Sequence, residues 1–373
     1  MSNFLDLGVD KRIVSRLEEM EIVTPTEIQE KAMPYLISEG NDFIGQAQTG
    51  TGKTCAFGIP LIQRMNPGIN YVQGIILCPT RELGQQISRQ IFKYTKNYKK
   101  IFTECVYGGV NIGQQITSLK RPTQILVGTP GRILELQEKK ALNLKSVNTV
   151  ILDEADEMLS MGFKSDIETI LSRTEAGRDI WLFSATMPFG IQQLIDTYMD
   201  PEAQRVHIDK ENILNRNIDH QFVKCTREEK IEVLHQFLRK REEERGVIFC
   251  NTKAISEKLT KQLKARNYNV DTIHGDLKQI ERQKVMRQFK GEKLQYLVAT
   301  DMAARGIDVD DLKFVIHYDV PDTLDYFTHR SGRTARSGKS GLSLCFVTEK
   351  DSIRMKKIET KLRVSFNPYR EDI

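Results

Sequence analysis

The chain has 373 residues, 39% of them hydrophobic and 28% charged, with a formal net charge of +5. That length suits two domains of roughly 150–200 residues, and the composition is that of a soluble globular protein. It excludes a membrane-spanning helix, since no apolar run approaches ~18 residues, and a signal peptide, since the N-terminus lacks the basic-then-apolar layout.

The six cysteines stand singly, so they read as buried reduced thiols rather than a metal site or disulfide framework. Charge is uneven along the chain. Residues 1–207 carry 22 Lys+Arg against 24 Asp+Glu and the remainder 33 against 26, a basic half that fits a polyanionic partner. A cytoplasmic protein with no membrane partner is expected.

In chain order, β-rich runs at 74–78, 124–127, 147–152 and 180–183 each precede a polar, helix-compatible stretch. A polar segment around one strand-like piece, 205–208, separates them from a second set at 246–250, 270–273, 296–299, 314–317 and 343–347. Near-continuous apolar strands alternating with helices predict parallel sheets covered on both faces. Right-handed crossovers then put the strand C-termini on one edge, where α/β ligand sites form. The expected architecture is two stacked α/β domains with a cleft between them.

Ahead of these strands lies Ala47-Gln48-Thr49-Gly50-Thr51-Gly52-Lys53-Thr54. A strict phosphate loop opens on Gly where this chain has Ala47, but the physical parts are present. Gly50 and Gly52 let backbone N–H groups approach phosphates, and a following helix N-terminus adds its dipole. Lys53 supplies charge for the β- and γ-phosphates and Thr54 a hydroxyl for Mg²⁺.

Downstream, Asp153-Glu154-Ala155-Asp156 ends the apolar run Thr149-Val150-Ile151-Leu152, which puts carboxylates where a parallel strand ends. Asp153 suits Mg²⁺ held through water, and Glu154 suits orienting and deprotonating an attacking water. The same pair could also cap the next helix. Binding and hydrolysis of ATP with Mg²⁺ is the expected chemistry. In the second half, His329-Arg330-Ser331-Gly332-Arg333-Thr334-Ala335-Arg336 sets arginines at spacings of three. Alone this reads as a basic helix face; beside a phosphate site it reads as fingers for a γ-phosphate.

With these residues assembled, the chain resembles the DEAD-box ATP-dependent RNA helicases over almost its whole length, in the form of a bacterial-type minimal core. Thr24-Pro25-Thr26-Glu27-Ile28-Gln29 is similar to the adenine-reading Q motif, with Phe4 upstream where the family carries an aromatic that stacks on adenine. Pro79-Thr80-Arg81-Glu82-Leu83, Gly108-Gly109 and Thr129-Pro130-Gly131-Arg132 resemble RNA-contacting motifs. Ser184-Ala185-Thr186 resembles the motif that couples hydrolysis to duplex opening.

In the second half, the run 247–253 with Thr252, His274-Gly275-Asp276, Gln279 with Arg282, and Ala299-Thr300-Asp301 resemble motifs that track the RNA backbone. Arg305-Gly306-Ile307-Asp308 resembles the segment reaching the ATP ribose. The arginine stretch resembles the finger motif, which includes His329 and assigns Arg333 and Arg336 to the γ-phosphate.

The resemblance implies two tandem RecA-like domains, each a mainly parallel sheet flanked by helices, with an interdomain cleft. The division is a Q-motif region at 1–30, an ATP-binding domain at 31–207, a linker at 208–216 and a helicase C-terminal domain at 217–373. It implies an RNA-stimulated ATPase that locally unwinds short duplexes or remodels RNA–protein complexes by ATP-gated closure. RNA, single-stranded or in short duplexes, would be held through its backbone without sequence preference. A monomeric core is expected, with a protein cofactor or ribonucleoprotein as further partner. A slow-turnover ATP-dependent RNA clamp is the alternative. The chain departs from the family pattern at Glu21-Ile22, where Gly-Phe is usual, at Gly84, where Ala is usual, and at Ser331 and Ala335, where Ile and Gly are common.

Overall fold

The computed structural model describes residues 3–38, 41–48, 50–96, 98, 100–208, 217–304, 312–335 and 340–369. The chain divides into two compact units, 1–209 and 210–373. Of the expected linker, only Ile208 lies among the described residues; it extends the first unit, its N–H donating to the Gln46 carbonyl at 3.0 Å.

The first unit opens with α1 (Lys11–Glu19) and α2 (Glu27–Ser38), then alternates β1 (Phe43–Gln46), α3 (Lys53–Arg64), β2 (Gly74–Leu77), α4 (Arg81–Thr95), β3 (Thr103–Val106), α5 (Ile112–Leu119), β4 (Ile125–Gly128) and α6 (Pro130–Glu138). It continues through β5 (Thr149–Asp153), α7 (Ala155–Ser160), α8 (Lys164–Arg173), β6 (Asp179–Ser184), α9 (Phe189–Tyr198) and β7 (Gln204–His207). The strands lie in the order β3-β4-β2-β5-β6-β1-β7, all paired in parallel. Side chains alternate along each strand: Ile76, Ile151 and Trp181 join a core on one face, while Ile75, Leu77, Leu152 and Leu182 join a second core on the other. Both faces are covered, as a parallel sheet requires.

The second unit runs β8 (Ile218–Lys224), α10 (Lys230–Arg239), β9 (Gly246–Cys250), α11 (Lys253–Ala265), β10 (Val270–Ile273), α12 (Gln279–Lys290) and β11 (Tyr296–Thr300). There follow α13 (Asp301–Ala304), β12 (Phe314–His317), α14 (Leu324–Ser331), β13 (Gly341–Val347), α15 (Ser352–Leu362) and β14 (Asn367–Pro368). Its order is β10-β11-β9-β12-β13-β8-β14, again all parallel. Counting from β8, this is the strand order of the first unit. The two units are one topology written twice.

The sequence runs expected as strands are β2, β4 to β7 and β9 to β13, their ends within two residues of the expectation. Four strands were not expected: β1, β3, β8 and β14.

β8 and β12 each carry a buried histidine, His220 and His317. His220 packs its ring on Phe327 and Phe366 with no hydrogen-bond partner for either nitrogen, and burial pushes its pKa down to about 4. His317 is fully buried, with its pKa lowered by burial, then by Arg330 and His220. An unfolded imidazole takes up a proton as pH falls through about 6.5, whereas the folded rings stay neutral, so stability held above that pH is lost below it. The His220 shift alone corresponds to about 3 kcal/mol. Thermal unfolding scans across this window are expected to show the transition that involves β8 falling steadily toward pH 4, and His220→Phe should flatten that fall.

Candidate active site and nucleic-acid interface

β1, β5 and β6 bring three segments to one edge of the first sheet. The Ala47 N–H donates to the Ser184 carbonyl at 3.0 Å, carrying β1 into the loop that ends at α3. Gly50 and Gly52 adopt φ of 83° and 90°, a left-handed backbone that favours glycine. The Thr51 hydroxyl donates to the Gln48 carbonyl at 2.8 Å, which ties the loop across its base. Lys53 opens α3 and is only 6% exposed. Its Nζ has no hydrogen-bond partner and lies 4.0 Å from Asp153 Oδ1. A buried ammonium so loosely paired is costly, and an anion at the helix N-terminus would relieve that cost. Thr54 follows, half-buried; Thr49 lies outside the described residues.

Asp153 ends β5. Its Oδ1 accepts the Glu154 N–H at 3.1 Å, and burial raises its pKa well above the carboxylate range, against the pull of Lys53. Glu154 sits half-buried at φ 52°. That conformation is uncommon for a residue with a side chain, and functional sites are one place where such backbone strain is held. No group of three or more His, Cys, Asp or Glu gathers as a metal cage among the described residues. The donor set of one buried carboxylate and the Thr54 hydroxyl fits Mg²⁺ by its chemistry, since that ion takes oxygen ligands, keeps its waters and leans on substrate phosphates.

Sequence patterning assigned no role to Asp156, the last residue of the acidic motif, yet it joins two motifs. Its Oδ2 accepts the Thr186 N–H at 2.8 Å and the Thr186 hydroxyl at 2.7 Å, and its own N–H donates to Ser184 Oγ at 3.2 Å. Ser184 Oγ donates in turn to the Thr186 carbonyl at 2.7 Å. Residues 153–156 and 184–186 are thus one lattice.

The adenine-motif residues dock on the phosphate loop. Gln29 Nε2 donates to the Gly52 carbonyl at 3.1 Å and Gln29 Oε1 accepts the Thr26 N–H at 3.0 Å. The Thr26 hydroxyl donates to the Thr51 carbonyl at 2.8 Å, a contact the sequence gave no reason to expect. Thr24 stands exposed before α2. Phe4 requires a correction. It is 2% exposed, packed in the core beside residues such as Leu7 and Val9, so its ring has no face to offer a base.

The expected RNA contacts follow equivalent strands in the two units. Pro79, Thr80 and Arg81 follow β2, as Thr252 follows β9; Thr80 caps α4 by accepting the Leu83 N–H, and Thr252 caps α11 by accepting that of Ile255. Gly109, exposed at φ 82°, follows β3 as Gly275 and Asp276 follow β10. Thr129 and Arg132 follow β4, while Thr300 ends β11.

Arg81 stacks 4.6 Å from the Tyr107 ring centroid, and Asp276 pairs with Lys253 at 2.5 Å, which lowers its pKa. Arg282 donates to the Ala303 carbonyl at 2.9 Å. Arg132 differs from expectation. It is 8% exposed, and its guanidinium donates to Gln115 Oε1 and the Val110 carbonyl. It props the 108–111 turn from beneath.

In the arginine stretch, Arg330 is 1% exposed. It donates to both carboxylate oxygens of Asp301 at 2.6 and 2.7 Å, to the Asp319 carbonyl at 2.7 Å and to Asn251 Oδ1 at 2.8 Å. Arg333 is buried, its Nε bonded to the carbonyl of half-buried His329 at 3.2 Å. Arg336, Gly306 and Asp308 lie outside the described residues.

The family departures here have physical reasons. Ser331 Oγ sits 3.0 Å from Ser343 Oγ and 3.3 Å from His317 Nε2, a polar trio that isoleucine would break. Ala335 holds φ 55°, at about 1 kcal/mol of strain that glycine would avoid.

A DEAD/DEAH box helicase model matches residues 26–194, and a helicase conserved C-terminal domain model matches 229–338. The chain is 43% identical over 369 residues to the ATP-dependent RNA helicase CshA of Listeria monocytogenes, covering 99% of this chain and 70% of that protein. It is 40% identical over 359 residues to the DEAD-box ATP-dependent RNA helicase CshA of Bacillus cereus, covering 96% and 68%. Among solved structures, S. cerevisiae Dbp5 bound to RNA and ADP BeF3 matches with a TM-score of 0.90 at 28% identity, over 99% of this chain and 96% of that one. Mss116p bound to ssRNA and AMP-PNP matches at 0.87 and 28%, over 100% and 80%. The chain belongs to the DEAD-box family of ATP-dependent RNA helicases.

Proposed function

We propose that this helicase uses ATP to grip and release RNA, opening short duplexes locally by closure of one unit on the other. The observation that carries the nucleotide half is the buried Lys53 ammonium, held without a hydrogen bond at the N-terminus of α3 beside Asp153. In this reading Lys53 and the loop amides of Gly50 and Gly52 bind the β- and γ-phosphates. Thr54, and Asp153 through water, would hold Mg²⁺, which supplies charge neutralisation at those phosphates. Glu154 orients the attacking water and takes its proton. Arg333 and Arg336 bring positive charge to the γ-phosphate. Gln29 reads adenine while bonded to Gly52.

Asp156 passes the state of the hydrolysis site to Ser184 and Thr186. RNA is held by its phosphates and 2′-OH groups through Thr80, Arg81, Gly109, Thr129, Thr252, Gly275 and Thr300, groups suited to backbone rather than base recognition. The residue divisions at 31–207 and 217–373 are proposed as the two working domains.

Strand separation on short RNA duplexes with a single-stranded overhang tests this reading. ATP-dependent opening should decline with duplex length and with added salt, and replacing ribose by deoxyribose in the loading strand should abolish it. Equal activity on the all-deoxyribose substrate would sink the RNA assignment.

A further inference from the structure

β8 holds in its sheet the place that β1 holds in the first, and α10 follows it as α3 follows β1. Each helix opens on a buried lysine, Lys230 being 4% exposed. Asp319 comes just after β12, the strand in the place of β5, which ends at Asp153. The second unit therefore carries a lysine and a carboxylate where the first has its phosphate site.

The chemistry has been turned inward. Lys53 has no hydrogen-bond partner, whereas the Lys230 ammonium donates to the Tyr318 carbonyl and to Asp319 Oδ1, the latter at 3.2 Å. The loop from Cys225 to Glu229 has no glycine, and the Thr226 N–H is taken by Glu229 Oε2 at 2.8 Å. A cavity of about 980 Å³ remains at this edge. The Lys230 ammonium and the Thr226 amide, the counterparts of the groups a phosphate would use, are already satisfied by the chain's own oxygens.

Asp319 is instead a hub. Its Oδ2 accepts the Asn251 N–H at 3.1 Å and its carbonyl accepts Arg330 Nη1 at 2.7 Å. Arg330 closes the ring through Asn251 and Asp301, and Asn251 Nδ2 donates to the Val320 carbonyl at 3.1 Å. The ends of β9, β11 and β12 and the helix α14 are thereby fixed to one another. Thr252 and Thr300 are the chain neighbours of Asn251 and Asp301.

We infer that Lys230 and Asp319 are positioning residues for RNA engagement: a phosphate-site pair converted into an internal strut that sets Thr252, Thr300 and Arg330. The inference rests on the reading that Thr252 and Thr300 face RNA.

The test is made on the full chain. Lys230→Met keeps the buried stem and removes the ammonium. It should raise the RNA concentration for half-maximal ATPase stimulation about tenfold and leave the KM for ATP without RNA within about twofold. Asp319→Asn, which keeps an acceptor for Asn251, should give a smaller rise and stands in if Lys230→Met does not fold.

Unchanged RNA saturation in a folded variant, an equal loss on the ATP side, or failure of both variants to fold overturns the inference. Thr252→Ala separates the two readings: if it leaves RNA saturation unchanged, the RNA-facing assignment fails; if it alone weakens RNA, only the strut fails. Fluorescent ATP binding to Lys53→Ala protein that disappears on adding Lys230→Met would reveal a live second nucleotide site and also overturn the inference.

Discussion

Lys53→Ala is expected to weaken ATP binding on the order of 100-fold, the consequence of removing one partner from a buried charged contact. The effect has two sources. The ammonium at the start of α3 is buried and without a hydrogen bond, so its favourable interactions are available to a phosphate rather than shared with the protein. Lys53 is also the group that draws the Asp153 carboxyl back toward ionisation against its burial. Without it, Asp153 favours its neutral form, which is a poor partner for Mg²⁺. Titration with a fluorescent ATP analogue measures the loss, and near-normal affinity would remove Lys53 from the phosphate site.

Glu154→Gln should do the opposite: nucleotide and RNA binding stay close to normal while turnover falls by about 10²–10⁴, the usual contribution of a positioned general base. Gln matches Glu in shape and leaves Lys53, Thr54 and Asp153 untouched. The backbone at 154 already stands at φ 52°, so this substitution adds no conformational cost that could mimic a catalytic loss. Single-turnover hydrolysis beside a binding titration separates the two quantities. Undiminished turnover would take Glu154 out of its assigned role.

Much of the fold was legible because parallel strands buried on both faces are apolar runs, as at β2, β5, β9 and β12. The strands that escaped notice fail that pattern for identifiable reasons. β1, Phe43-Ile44-Gly45-Gln46, has only two consecutive apolar side chains, too short a run to stand out. β3 is half-exposed, and β8 carries three consecutive polar residues, Asp219, His220 and Gln221, that break the apolar run.

At the site, residue types at strand ends revealed Lys53 and Asp153, because their chemistry is local to each segment. Pairings across the sheet could not be read that way, so the bonds from Asp156 to Thr186 and the burial of Arg330 and Arg132 came only with the structure. Phe4 shows the converse error. An aromatic placed by family position alone turned out to belong to the core.

The departure at Gly84 looks minor in sequence and has a specific cause. A Cβ there would stand 3.1 Å from Cys78 Sγ and 3.3 Å from Cys105 Sγ, so two thiols set how deeply α4 seats on the sheet. Burial raises the pKa of both, which keeps them protonated and chemically quiet under the helix. Volume at this corner is shared among three positions: a methyl group gained at 84 must be given up at 78 or 105. Otherwise the helix that presents Thr80 and Arg81 rides outward.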